Sequence, residues 1–323
     1  MACFKAALGD FSAAIQDYRD CLRQSEERLG PEHPQSLGTA QNLAATLQAQ
    51  GDRTAARLLF ENVLEIRTRV VGAEHPDRLM TLQNLGVLWL ELGRPEEALP
   101  RLEEALRLRV QLQGAEHPDS LMTRQNLGSC WLQLGKPDIA KTFIEESFHG
   151  YQRLYGPQHP LSLRCLSNLG NLEYTIKNYA EARRIFEEVL AELELLYPPE
   201  HPDRLRLMQN LGNVRAAQGD LSGARRLYEQ ARAGYQRSLP EPHPERLRLE
   251  HNLGSLYLME GRQEDARAIF EKVYALRCAT LGAEHPLTVN TGRGLEGLGN
   301  LAEDSTAPEE DTNTQTKTGA GSC

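Results

Sequence analysis

Residues 75–116 read HPDRLMTLQNLGVLWLELGRPEEALPRLEEALRLRVQLQGAE, and the chain then begins again with His117-Pro118. His-Pro stands at His33, His75, His117, His159, His201, His243 and His285, each 42 residues after the last. A fixed period of about 20–50 residues marks a stack of supersecondary units. Leucine keeps the same register at Leu43, Leu85, Leu127, Leu169, Leu211, Leu253 and Leu295. A small residue follows it at Ala44, Gly86, Gly128, Gly170, Gly212 and Gly254. Alanine recurs at Ala14, Ala56, Ala98, Ala140, Ala182, Ala224 and Ala266, and a large apolar residue follows each by four.

Each feature has a mechanical reason. Proline after histidine suits the first turn of a helix, where its missing N–H costs nothing. Gly93 ends that helix by taking a positive φ, and Pro95, or Asp52 in the preceding unit, opens a second. Lys177 stands where the other units carry this turn glycine. Gly86 and Ala98 lack bulk, so two helices can approach there, with Leu85 and Leu102 filling the flanks. Ala98, Leu102, Ala105 and Leu106 form a helical stripe, and no segment shows the sustained alternation of a strand. Each unit is therefore expected to be two antiparallel helices, A over Pro76–Leu92 and B over Pro95–Leu112 in the quoted unit. The fold class expected is all-α, a solenoid of helix pairs.

The register divides the chain into a partial first repeat over 1–33, with only its helix B complete, and six tandem repeats over 34–284. A closing helix is expected over 285–301, and a disordered tail over 302–323, where Glu, Asp, Thr, Gly and Pro predominate. The first helix A would begin before Met1, so a polar cap is lacking there. The N-terminal end is accordingly expected to be cut, or to dock another subunit.

The run Asn84-Leu85-Gly86, Trp89, Gly93, Ala98, Leu102 and Ala105 resembles the tetratricopeptide repeat. The 42-residue unit and the linker Leu281-Gly282-Ala283-Glu284-His285-Pro286 resemble the kinesin light chain subclass. The resemblance covers residues 1 to about 301. It implies a right-handed superhelix whose A helices line a concave surface that receives extended peptides. It also implies, by analogy with kinesin light chains, a taste for tryptophan-acidic peptides.

Candidate groove residues follow from the register. Asparagine precedes the repeated leucine at Asn42, Asn84, Asn126, Asn168, Asn210 and Asn252. It is a mediocre helix-interior residue, so the repetition needs a cause. Either the amides hydrogen-bond a ligand backbone, or they bond between repeats and fix the stacking. One residue earlier stand Gln83, Gln125 and Gln209, which the resemblance also places in the groove. Four residues before asparagine, Met80 and Met122 give way to Arg164, Arg206 and Arg248. Cations near helix N-termini are locally unfavourable. They call either for an anionic, apolar-anchored peptide or for pairing with nearby acids such as Asp203 or Glu250.

Other chemistry finds little support. The seven histidines would lie in a row rather than converge on a metal, so each reads as a helix cap. Gly292-Arg293-Gly294-Leu295-Glu296-Gly297 matches a dinucleotide fingerprint, but without the strand that motif requires. Trp89 and Trp131 occupy a core register. The formal charge of −9 opposes nucleic acid, and no apolar run is long enough to span a membrane. Six scattered cysteines without a CxxC pair suit a reducing, cytoplasmic compartment. The expected protein is a non-catalytic scaffold or adaptor for protein or peptide partners. It needs no cofactor, metal, nucleic acid, membrane or small-molecule substrate. The alternative is the regulatory or sensor half of a larger signalling protein whose N-terminal effector domain is missing here.

Overall fold

The computed structural model describes residues 11–304, with side chains through Leu298. Fourteen helices follow one another among these residues. Helix α1 (Phe11–Leu29) is a lone B helix. Six A/B pairs come next: α2 (Pro34–Gln50) with α3 (Arg53–Val70), α4 (Pro76–Glu91) with α5 (Pro95–Gln113), and α6 (Pro118–Gln133) with α7 (Pro137–Tyr155). They continue with α8 (Pro160–Thr175) and α9 (Tyr179–Leu196), α10 (Pro202–Ala217) and α11 (Leu221–Ser238), then α12 (Pro244–Met259) and α13 (Gln263–Leu281). Helix α14 (Pro286–Asp304) closes the array. It runs three residues beyond the boundary expected at 301, into the expected tail. The expected tail from 305 on, and the last turns of a first helix A, lie outside the described residues.

Local chemistry sets the helix ends. Each repeated histidine is the N-cap of an A helix. In the quoted unit His75 Nδ1 accepts from the Asp77 amide at 3.2 Å, and His117 does the same for Asp119 at 3.2 Å. The A helices end on the left-handed turn foreseen for Gly93, at φ 68°. Lys177 takes the same turn with φ 64°, although it carries a Cβ.

Helices A and B of one unit touch where bulk is absent. A Cβ on Gly86 would lie 2.8 Å from Leu102 Cδ2, and one on Gly212 would lie 2.4 Å from the Tyr228 ring. Leu85, Ala98 and Leu102 are fully buried at this contact. Each helix packs on its sequence neighbours, and A helices also touch one another, as α2 with α4, α4 with α6, α8 with α10 and α10 with α12. The A helices thus form the tighter inner layer and the B helices the wider outer one. The core is a chain of local clusters that pass from unit to unit.

A polar lock ties three of the unit junctions. Arg67 Nη1 on α3 donates to Gln41 Oε1 of α2, to the Asp77 carbonyl at 2.8 Å and to Thr81 Oγ1 of α4 at 2.6 Å. Arg109, Gln83 and Thr123 repeat this one unit later. Arg277 and Thr291 repeat it at the end, with His251 in place of glutamine. In the middle of the array the same three positions read Tyr151, Gln125, Cys165, then Leu193, Ser167, Leu207, then Tyr235, Gln209, Leu249.

The array turns far enough for its ends to meet. Gly51, at the α2–α3 turn, lies against Leu281 at the end of α13, and a Cβ there would sit 2.8 Å from Leu281 Cδ2. No helix among the described residues is long and apolar enough to cross a membrane.

Candidate functional site: the inner groove

The inner wall is built from the A helices, so its chemistry is that of a few register positions. The arginine register falls on the fifth residue of α8, α10 and α12, giving Arg164, Arg206 and Arg248. These three line one pocket of about 500 Å³, together with Gln125, Ser167, Asn168, Asn171 and Asn210. The pocket is also lined by Leu163, Leu193, Leu207 and Tyr197. Leu163, Leu193 and Leu207 are buried, and Tyr197 is fixed by stacking on His201, ring centroids 3.7 Å apart. Leu193, Ser167 and Leu207 form one of the three combinations that replace the polar lock in the middle of the array. Two leucines replace the guanidinium and the threonine, and a short serine replaces the glutamine. The result is an apolar floor beneath a polar, basic rim.

The three arginines are not equivalent. Arg206 Nη2 pairs with Asp203 at 2.5 Å, and Arg248 Nη2 pairs with Glu245 at 2.6 Å. Glu250, considered as a partner from the sequence, instead takes Arg232 at 2.7 Å. Arg164 is exposed and forms no ion pair among the described residues. Surface pairs of the Arg206 kind are held by only about 0–1 kcal/mol, so an anionic ligand can compete for them.

The asparagine register splits in two. Asn210 donates to Asn171 Oδ1 at 3.1 Å and Asn252 donates to Asn213 Oδ1 at 2.9 Å, so these amides bond between units. Asn84, Asn126 and Asn168 are half-buried and make no side-chain hydrogen bond among the described residues. Asn252 lines a second, shallower depression with Asn213, Tyr228 and Ser255. Met80 is exposed and Met122 half-buried, and neither lines the arginine pocket.

The glutamine register departs from its expected place. Gln83 is 4% exposed and spends its amide oxygen on Arg109 and Thr123. Gln209 is 1% exposed. Both belong to the wall rather than to the groove surface, because the register points between units once the helices are stacked. Gln125 is also buried, but it borders the arginine pocket, and its Oε1 has no hydrogen-bond partner.

Leu193, Tyr197 and Leu207 were not singled out in the sequence. The signal was present in the column Arg67, Arg109, Tyr151, Leu193, Tyr235, Arg277, whose polar members stop and resume.

Burial pushes the Cys130 thiol up to about 11 and the Cys165 thiol up to about 12, so both stay protonated and unreactive. Gly292 to Gly297 lie inside α14, and the element before it is helix α13. Trp89 is 7% exposed and ringed by the guanidinium groups of Arg57, Arg94 and Arg101 at 5.7, 5.0 and 5.6 Å. Among the described residues no group of three His, Cys, Asp or Glu side chains is placed to hold a metal.

Comparison with known proteins agrees with this architecture. The tetratricopeptide repeat family matches residues 1–61, 36–111, 87–148, 126–194, 177–237 and 203–279. Among solved structures, a kinesin light chain-like array of nearly identical TPR-like repeats from Podosopora anserina is 26% identical. Its TM-score is 0.50, over 64% of this chain and 98% of that one. BtubC (BKLC) from P. vanneervenii is 25% identical with a TM-score of 0.52, over 73% of this chain and 93% of that one. A tetratricopeptide repeat protein from Parabacteroides merdae shares the fold at 18% identity, TM-score 0.57, over 93% and 96% of the two chains. The curated proteins contain no match.

Proposed function

From the premise that the chain belongs to the tetratricopeptide-repeat family, whose repeats are protein-interaction scaffolds, we propose that it holds an extended acidic peptide along its inner groove. An apolar side chain of that peptide sits on Leu163, Leu193 and Leu207. Its carboxylates meet Arg164, Arg206 and Arg248. The half-buried amides of Asn126 and Asn168 serve the peptide backbone.

One observation carries this reading. The polar lock is missing where three arginines gather, so an apolar floor and a basic rim share a pocket of about 500 Å³. A pocket of this size and make-up suits one anchoring side chain. The electrostatic part of binding weakens with salt, because the arginines are at least partly solvated.

The test is an affinity capture from native extract with wild type beside the triple variant Arg164→Ala/Arg206→Ala/Arg248→Ala, circular dichroism confirming that the variant folds. Partners lost only in the variant support the reading, and their sequences supply acidic motifs for direct titration. Partners retained by both would sink it. They would move recognition to the N-terminal edge or the convex face and favour a sensor role within a larger signalling protein.

A further inference from the structure

The three buried arginines of the polar lock differ in one respect. Arg67, Arg109 and Arg277 are 3%, 3% and 2% exposed. Ten residues after the first two stand Asp77 and Asp119. The Asp77 carboxylate lies 4.0 Å from Arg67, and Asp119 likewise favours the charged form of Arg109. Ten residues after Arg277 stands Leu287. Arg277 keeps its neutral acceptors, the Leu287 carbonyl at 2.8 Å and Thr291 Oγ1 at 2.6 Å. Its glutamine partner is replaced by His251, whose ring burial and Arg277 push down to about 4, so the imidazole is neutral. Among the described residues no carboxylate compensates this guanidinium, and a buried cation without a counter-charge is costly.

Arg277 also borders a pocket, where the two ends of the array come together. The pocket is about 340 Å³. Its walls include Phe11 of α1, Pro244 and Leu247 of α12, Leu281 of α13 and Leu287 of α14. Among the described residues that line it there is no Asp or Glu, and Arg277 is the one cation. Ser12, Gln50 and Thr280 add neutral polar groups to the lining. A single positive charge beside apolar and neutral polar walls fits a monoanion with an apolar body. A phosphate dianion would bring a second charge that nothing in the lining matches.

We propose that this pocket binds a small monocarboxylate with a short apolar tail. The carboxylate takes the place beside Arg277 that an aspartate holds in the first two locks. The tail lies on Phe11, Leu247, Leu281 and Leu287. Because Phe11 belongs to the first described helix and Leu247, Leu281 and Leu287 to the last three, the ligand ties the two ends of the array together. The site is separate from the arginine groove and stands or falls without it.

The test is isothermal titration of the full chain with octanoate, and with octan-1-ol as the uncharged control. Two variants accompany wild type. Arg277→Gln removes the cation. Leu287→Asp restores the internal counter-charge, and it is expected to fold because Leu287 is 44% exposed and aspartate already fills this place in three other units, at Asp77, Asp119 and Asp203. Wild type is expected to bind octanoate about tenfold or more tighter than octanol, the scale of one charge-assisted contact. Leu287→Asp is expected to lose that preference with no fall in melting temperature. The proposal is overturned if octanoate does not bind the full chain or if octanol binds equally well. It is also overturned if Leu287→Asp takes octanoate as tightly as wild type.

Discussion

Arg53 Nη1 lies 2.6 Å from His285 Nε2, although 232 positions of chain separate the two residues. Arg53 opens α3 and also reaches Glu91 at 3.5 Å. His285 is the N-cap of α14, and its Nδ1 faces the Leu287 amide at 3.2 Å. A neutral imidazole has one acceptor nitrogen. Arg53 and the Leu287 amide therefore compete for it, and the seam between the two ends is set against a helix cap.

The seam is expected to respond to acid. Burial first, then Arg53 and Arg277, hold His285 below its ordinary 6.5. A depressed pKa means that the closed array binds this proton less well than an open one. The contribution of the seam is complete above the open-state value near 6.5 and is lost as pH falls through the depressed one. Small-angle scattering should show the radius of gyration rising on acidification below about pH 6.5. His285→Gln should blunt that change. An invariant radius in wild type would deny the seam any hold on the shape.

The polar lock should be costly to break and cheap to replace whole. Arg109→Ala leaves the buried amide oxygen of Gln83 without its strongest donor. It is expected to cost roughly 2–4 kcal/mol. The triple change Arg109→Leu/Gln83→Ser/Thr123→Leu copies the combination Leu193, Ser167, Leu207 and should recover most of that loss. Urea denaturation of both variants checks this, and a triple variant no better than Arg109→Ala would refute the idea that the two combinations are interchangeable.

Close helix approach makes Gly212 intolerant of one methyl group. Its Cβ would stand 2.4 Å from Tyr228, a fully packed ring that hydrogen-bonds Asn213 at 2.5 Å. Gly212→Ala is expected to destabilise by about 1–3 kcal/mol. Gly38, whose surroundings are open, is the control, and its alanine variant should melt at or above the wild-type temperature.

Lys177 offers the opposite case. It holds a left-handed φ of 64°, where glycines serve the other units. Lys177→Gly relieves the Cβ clash and is expected to stabilise by about 0.5–1 kcal/mol. A lowered melting temperature would mean that the lysine side chain contributes more than its backbone strain costs.

The sequence made the unit legible because its signals are local and seven-fold. The cap between His75 and Asp77 spans two residues, the Gly93 turn spans one, and the Ala98–Leu102 stripe spans one helical turn. Each is repeated at 42-residue intervals, so errors in one copy are corrected by the others. The groove was only partly legible. Arg164, Arg206, Arg248, Asn168 and Asn210 were named in advance, and they do line one pocket. Gln83 and Gln209 were misplaced because neighbouring registers on a helix differ by about 100°. A small rotation on stacking decides which of two adjacent residues faces the groove and which faces the next unit.

By itself, then, the sequence determined the repeat, its two helices, their ends and the small residues at their contact, since these depend on steric and hydrogen-bonding rules that act within a few residues. The tertiary structure alone decided that Arg53 meets His285, that Leu193 and Leu207 floor a basic pocket, and that Arg277 is buried with no counter-charge among the described residues. Those outcomes depend on the rotation between successive units. It is small at each junction and adds up along the array, so no single repeat contains it.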